Sequence, residues 1–180
     1  MKLLEKLKFT SSSNTSKTQN LTNKSSIYSI EINGIDGRLV RLSEFEGKYI
    51  LFVNVASKCG FTPQYKALQQ LQDSYQGKLV VVGLPCNQFA GQEPADSNEI
   101  QSFCERNFGV TFPLTEKVQV KGPKKHPLYE WLTKKSLNGR RNSSVKWNFQ
   151  KYLVDDKGQL VDYFYSTTKP SSSKITKHLQ

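Results

Sequence analysis

Two runs of apolar residues constrain this chain more than any other feature. Tyr49 to Ala56 is apolar nearly throughout, broken only at Asn54, and Leu79-Val80-Val81-Val82-Gly83-Leu84 is apolar without a break. A strand with one wet face alternates apolar and polar residues; runs without alternation read as strands covered on both faces, as in a parallel sheet. Between them Tyr65, Leu68, Leu71 and Tyr75 recur at helical spacing, with Thr62 placed as a cap, Pro63 as the first helical residue and Gly77 near the stop. Strand, helix, strand is a βαβ unit, and it requires a sheet with helices packed on it.

The flanking segments extend that plan. Ile30 and Ile32 alternate with polar residues before the turn signals Asn33-Gly34 and Asp36-Gly37, and Leu39 to Leu42 follow, so an N-terminal β-hairpin is predicted. A second helix is predicted from Asp96 or Ser97, with Glu99 in its first turn, Ile100, Phe103, Cys104 and Phe108 along one face, and Gly109 as its stop. A third starts at Pro127 with Leu128, Trp131 and Leu132. Phe149 to Val154 and Gln159 to Tyr163 flank the turn Asp155 to Gly158 as a second hairpin, and Pro170 to Leu179 reads as a short closing helix. The order gives an α/β domain over residues 27–180, a central mixed β-sheet flanked by helices, compatible with a thioredoxin-like fold.

Composition excludes several classes. Ten Phe, eight Tyr and two Trp in 180 residues are enough to build one core. No apolar run approaches the roughly 18–20 residues of a spanning helix, so no integral membrane segment is predicted. Three cysteines (Cys59, Cys86, Cys104) and two histidines form neither a disulfide framework nor a zinc site, and the odd, sparse count fits a reducing compartment.

Residues 1–26, with five Lys against Glu5 and a Ser/Thr/Asn/Gln tract after Phe9, read as a disordered basic tail. Leu3-Leu4, broken by Glu5 and Lys6, is too short for a secretory signal. A basic, Ser-rich tail also fits a mitochondrial presequence, though this one lacks Arg; a cytoplasmic location is the expectation and mitochondrial targeting stays open. The net charge of +11 is concentrated in one segment. Between residues 121 and 151, Lys121, Lys124, Lys125, Lys134, Lys135, Arg140, Arg141, Lys146 and Lys151 face a single acidic residue, Glu130. Such a run suits a solvated face, anionic lipid, an acidic partner or nucleic acid, but no nucleic-acid-binding motif accompanies it and none is expected to bind.

Cys59 sits between the end of the first buried strand and the next helix, the crevice where open α/β sheets place their sites. A helix N-terminus favours thiolate by roughly 0.3–1 kcal/mol, less than the roughly 1.4 kcal/mol of one pKa unit. A strongly activated cysteine therefore needs further donors; otherwise Cys59 is a buried structural thiol. The position three residues on, which would complete Cys-x-x-Cys, is Thr62, so a local disulfide is impossible.

Three stretches, Asn54-Val-Ala-Ser-Lys-Cys-Gly-Phe-Thr-Pro-Gln-Tyr65, Leu84-Pro-Cys-Asn-Gln-Phe-Ala-Gly-Gln-Glu-Pro94 and Lys146-Trp-Asn-Phe149, together resemble the glutathione peroxidase family, in its order and over roughly residues 27–172. The resemblance implies a thioredoxin-like fold and peroxide reduction by a cysteine surrounded by Gln, Trp and Asn, which map onto Cys59, Gln92, Trp147 and Asn148. Two amides and an indole supply N–H donors without negative charge, which suits a thiolate and a peroxide. Cys104, a core residue on spacing alone, lies in Phe103 to Pro113, a stretch similar to the thioredoxin-dependent branch, where this helix carries the resolving cysteine. Cys86 reads as structural, His126 as packing or capping, and His178 carries no role.

What the resemblance implies is a thiol peroxidase acting on hydrogen peroxide and organic or lipid hydroperoxides. It would pass through a Cys59 sulfenic acid and a Cys59–Cys104 disulfide recycled by thioredoxin, or by glutathione, with no metal or organic cofactor. The short link from Pro127 to Lys146 lacks the insertion that tetrameric members use, which implies a monomer. Ala90 and Ala95 stand where the family usually has Gly, so both positions are candidates for backbone angles that alanine meets poorly. Two rival readings remain: a peroxide sensor that hands the disulfide to a client protein, and a basic binding module whose cysteines are inert.

Overall fold

The computed structural model describes residues 26–180. The tail expected over residues 1–26 lies outside them, except for Ser26, whose hydroxyl accepts the Tyr28 N–H at 3.3 Å. The predicted βαβ unit is present: β3 (Tyr49–Val55) and β4 (Leu79–Pro85) are parallel, paired from Tyr49↔Leu79 to Val55↔Pro85, with α1 (Gln64–Ser74) between them. Ahead of it, β1 (Glu31–Asn33) and β2 (Leu39–Arg41) form the N-terminal antiparallel pair. The C-terminal hairpin of β5 (Lys151–Val154) and β6 (Leu160–Phe164) joins the other edge of β3, giving the order β4-β3-β5-β6.

The sheet is buried on both faces, as the unbroken apolar runs require. On one face Leu51, Val53, Val81 and Leu153 meet Tyr65, Leu68 and Leu71 of α1, together with Ile100 and Cys104 of α2 (Ser97–Phe108) and Ile175 of α5 (Ser173–Thr176). On the other, Ile50, Phe52, Val82, Tyr152 and Val154 meet Leu128, Trp131 and Leu132 of α3 (Pro127–Thr133), with Ile27, Ile32 and Leu42 sealing the rim. No helix among the described residues is long and apolar enough to cross a membrane.

Helix ends follow local chemistry. In α2, Asp96 accepts the Glu99 N–H at 2.9 Å and Glu99 accepts the Asp96 N–H at 3.2 Å, a reciprocal cap, and Gly109 stops the helix at φ 63°. His126 caps α3, its Nδ1 accepting the Leu128 N–H at 3.2 Å; burial lowers its pKa, which keeps that nitrogen an acceptor. A short helix absent from the sequence reading, α4 (Lys135–Asn138), follows α3 directly and ends at Gly139.

Two boundaries depart from the sequence reading. The first helix begins at Gln64 rather than Pro63, and Thr62 does not cap it; its hydroxyl is committed to the loop before the helix. The last hairpin starts at Lys151 rather than Phe149, because Phe149 adopts φ 63° and turns the chain before the strand can begin.

Gly158 closes the β5–β6 turn at φ 72°, and a Cβ there would stand 2.6 Å from the Tyr28 ring. Gly158→Ala combines left-handed strain with that clash, and we expect a loss of about 2–3 kcal/mol in unfolding free energy by denaturant titration.

Candidate active site

Strand directions gather the site at one edge of the sheet. β3 and β4 run parallel, so the loops leaving Val55 and Pro85, which carry Cys59 and Gln92, emerge side by side. β5 runs against β3, with Val53 opposite Lys151, so the turn that precedes it, Trp147 to Phe149, lies at the same edge. β6 runs back again, with Phe164 opposite Lys151, which returns Ser166 to that edge. Four segments far apart in sequence therefore meet around the end of β3.

Hydrogen bonds fasten them. Asn54, the one polar residue in the first apolar run, is buried; its Nδ2 donates to the Trp147 carbonyl at 3.0 Å and its own carbonyl accepts the Phe149 N–H at 2.6 Å. Asn148 donates from Nδ2 to Gln92 Oε1 at 3.0 Å, and its carbonyl accepts the Ser166 hydroxyl. The Gln92 carbonyl accepts the Lys58 N–H at 3.0 Å, one residue from Cys59. Because Asn148 occupies its oxygen, the two N–H donors of the Gln92 amide are left to serve another acceptor. Trp147 is 38% exposed and leans on Phe89, ring centroids 5.6 Å apart.

Cys59 is held in a tight turn. Its N–H donates to Thr62 Oγ1 at 3.0 Å, Thr62 in turn donates to the Ala56 carbonyl at 2.8 Å, and the Phe61 N–H points at Cys59 Sγ from 3.4 Å. That backbone donor belongs to the turn before α1, so the sulfur receives a directed N–H rather than the helix axis alone. Cys59 retains 8% exposure, whereas Cys86 and Cys104 have none; all three thiols are unpaired. Cys86 packs against α3's face of the sheet and its thiol lies 3.9 Å from Gln88 Oε1.

Cys104 lies on the buried face of α2, in the same core cluster as Cys59. Burial pushes its thiol up to about 11. The Tyr65 hydroxyl, buried beside it without completing a hydrogen bond, works against that rise, and the Glu93 and Glu105 carboxylates add to it. Cys104 is near the end of its helix: its carbonyl accepts the Val110 N–H at 3.3 Å, just past Gly109. Between the Cys59 loop and α2 is a cleft of about 450 Å³ lined by Ser57, Lys58, Pro94, Ala95, Glu99 and Phe103.

Three further residues belong to this edge. Glu93 is fully buried next to Gln92, accepting the Ser57 hydroxyl at 3.1 Å while its other oxygen has no partner; burial raises its pKa against the pull of Ser57, Lys117 and Lys58. Lys151 is fully buried and donates to the Phe149 carbonyl at 2.7 Å. Asn54 had a visible signal, a lone amide inside an apolar run, and Lys151 a weaker one, a charge inside the strand predicted from Phe149. Glu93 had none, because a carboxylate before Pro94 reads as an exposed turn.

A family model described as Glutathione peroxidase matches residues 27–133. The chain belongs to the glutathione peroxidase family. It is 49% identical over 152 residues to the hydroperoxy fatty acid reductase gpx1 of Synechocystis sp., covering 80% of this chain and 89% of that protein. It is 45% identical over 148 residues to glutathione peroxidase-like peroxiredoxin 2 of Saccharomyces cerevisiae, covering 82% and 91%. The crystal structure of T. cruzi GPX1 superposes with a TM-score of 0.66 at 33% identity, over 86% of this chain and 96% of that one. The thioredoxin-like fold and the cysteine-type branch of the family follow from these likenesses.

The basic run of residues 121–151 is dispersed rather than gathered. Lys125 and Lys134 bracket Glu130, Arg141 pairs with Asp162 at 2.8 Å, Lys121 lies 4.3 Å from the Phe89 ring centre and Lys151 is interior. That leaves Lys124, Lys135, Arg140 and Lys146 as its exposed remainder.

Of Ala90 and Ala95, the two alanines singled out in the sequence, only Ala90 has a positive φ, at 54°; Ala95 does not. Ala90→Gly removes a left-handed penalty of about 1–2 kcal/mol and adds the chain entropy of glycine. A net gain of about 0.5–1 kcal/mol in unfolding free energy is expected, measurable by urea titration, with peroxide turnover unchanged within twofold.

Proposed function

We propose that this family member is a thiol peroxidase that reduces hydrogen peroxide and organic hydroperoxides, those of fatty acids and lipids included, with Cys59 as the attacking thiolate. One observation carries the reading: the Gln92–Asn148 pair, tied through Lys58 N–H to the loop that carries Cys59, offers amide donors next to that loop, and Cys59 keeps a trace of exposure. The names of the relatives, a hydroperoxy fatty acid reductase and a peroxiredoxin, support the same chemistry. The exposed face of Trp147 beside Phe89 gives an apolar rim against which the carbon chain of a hydroperoxide can lie.

The steps balance. Cys59 thiolate attacks the terminal peroxide oxygen, the O–O bond breaks, and the leaving oxyanion takes a proton to depart as water or alcohol, leaving Cys59 as sulfenic acid. Gln92, Asn148 and the Trp147 indole donate hydrogen bonds to the thiolate and the peroxide. Cys104 thiolate then attacks the Cys59 sulfur and expels hydroxide, which is protonated to water, and a protein dithiol of thioredoxin type, or glutathione, reduces the disulfide by exchange. We take the protein as a monomer from its short Pro127–Lys146 link, in a reducing compartment such as the cytoplasm from its odd, sparse cysteine count. Turnover in coupled assays with thioredoxin and with glutathione tests the reading: Cys59→Ser should abolish it and Cys86→Ser should retain most of it. Substantial activity without Cys59 sinks the assignment.

Resolution has a pH signature. While Cys104 is buried its thiol stays protonated up to about 11, so it cannot supply a thiolate at neutral pH from its place in α2. Once the last turns of α2 open, its pKa relaxes towards the ordinary value of about 8.5. After one equivalent of peroxide, the rate of disulfide closure should rise with pH through roughly 8–9, not near 11, and amide exchange over residues 97–108 should be faster in the oxidised protein. Cys104→Ser should consume one equivalent and stall as sulfenic acid or over-oxidise. Full thioredoxin-driven turnover in that variant would remove Cys104 from the mechanism.

A further inference from the structure

We propose that Lys151 is a positioning residue for peroxide reduction, its buried Nζ clamping the Phe149 carbonyl and so holding the Trp147-Asn148-Phe149 turn that sets Asn148 on Gln92. The inference rests on the peroxidase reading above and adds a residue outside the donor set.

The geometry is specific. Lys151 is wholly buried, and its strand neighbours in register, Val53 of β3 and Phe164 of β6, are apolar. Paired residues on antiparallel strands share a face, so its side chain projects on the face that carries α1 and the Cys59 loop. It makes no ion pair among the described residues, and its hydrogen bond goes to the Phe149 carbonyl, 2.7 Å away. Nothing in packing calls for an amine there: methionine would fill the same length without losing the hydration of a charge. The bond is what an amine supplies.

The carbonyl it holds is the one that matters. Phe149 is an aromatic residue in the left-handed region, φ 63°, a conformation that persists only when its surroundings over-determine it. Its N–H is taken by the Asn54 carbonyl at 2.6 Å and its C=O by Lys151, so both backbone groups of the strained residue are pinned. The turn they fix places Asn148 on Gln92 and Trp147 on Phe89. Removing Nζ would leave a buried carbonyl unpaired at the residue with the least tolerance for it.

Burial lowers the Lys151 pKa to about 7, with no neighbouring charge contributing. The amine is then neutral in the folded protein above pH 7 and protonated in the unfolded chain up to its ordinary value of 10.5, so its burial opposes folding less as pH rises between the two.

The test is Lys151→Met in the full chain, compared with the parent under conditions where circular dichroism finds both folded. Single-turnover oxidation of Cys59 by hydrogen peroxide should slow about 10- to 100-fold. Alkylation of Cys59 by iodoacetamide at pH 10 should stay within about twofold. The Trp147 indole resonance should shift while that of Trp131 holds, and Phe149 amide exchange should accelerate. The melting temperature of the parent should gain on that of the variant as pH rises from 7 to 10. Parent and variant oxidised at equal rates, or an unmoved Trp147 resonance, overturns the proposal; a parent whose Cys59 does not react with peroxide overturns the peroxidase reading instead. If Lys151→Met does not fold, Lys151→Gln, which retains a shorter donor, takes its place. Failure of both to fold assigns Lys151 to the sheet and ends the positioning role.

Discussion

The site depends on one buried amide, Asn54, at the end of β3. Its side chain holds the Trp147 carbonyl and its backbone holds the Phe149 N–H. The next residue's carbonyl accepts the Cys86 N–H at 3.0 Å, which starts the loop that leads to Gln92. Two segments are thus registered against a single strand end, and Cys59 follows five residues later on the same chain. Buried in an apolar face, each of these bonds is costly to lose, because the group left behind has no water to turn to.

Around that point the protein tolerates polar and strained groups that a core built only for stability would lack. Glu93 is buried with one oxygen unpartnered, Lys151 is an amine between apolar strands, and Phe149 and Ala90 both have positive φ. All four lie in the loops and strand ends at one edge of the sheet, while on the side packed by α3 the buried Thr133, Asn138 and Gln150 are hydrogen-bonded and the Tyr129 hydroxyl is the unpartnered group. Strain concentrated where loops converge is the signature of a pre-organised site, with the two apolar layers supplying the stability that sustains it.

Cys104 belongs to a different regime. A reciprocal cap secures the start of α2, and the helix buries Ile100 and Cys104 against α1. Its far end is held by Phe108, whose ring lies 5.4 Å from that of Tyr65, and by the bonds around Gly109 and Val110. The proposed resolution step requires those last turns to open against this packing, with the capped start left in place.

Much of this was legible in sequence. Unbroken apolar runs dictated a doubly covered parallel pair, because no other placement buries every residue of such a strand. The capping box, Gly109 and the Asp155–Gly158 turn set their own boundaries through bonds only a few residues apart. The resemblance carried by three motifs pointed to Cys59, Gln92, Trp147 and Asn148 as the candidate site. What it could not supply was how they are held. Thr62 reads as a helix cap until the turn brings the Cys59 N–H nearer to its hydroxyl than any helical donor. Phe149 reads as strand until Asn54 and Lys151 pin both its backbone groups. Glu93 reads as an exposed turn residue until the loop folds over it. Local bonds and hydrophobic periodicity are properties of neighbouring residues and so belong to the sequence; partners 36 to 102 residues apart, such as Ser57 with Glu93 and Gln64 with Ser166, exist only once the sheet order has brought the loops to one edge.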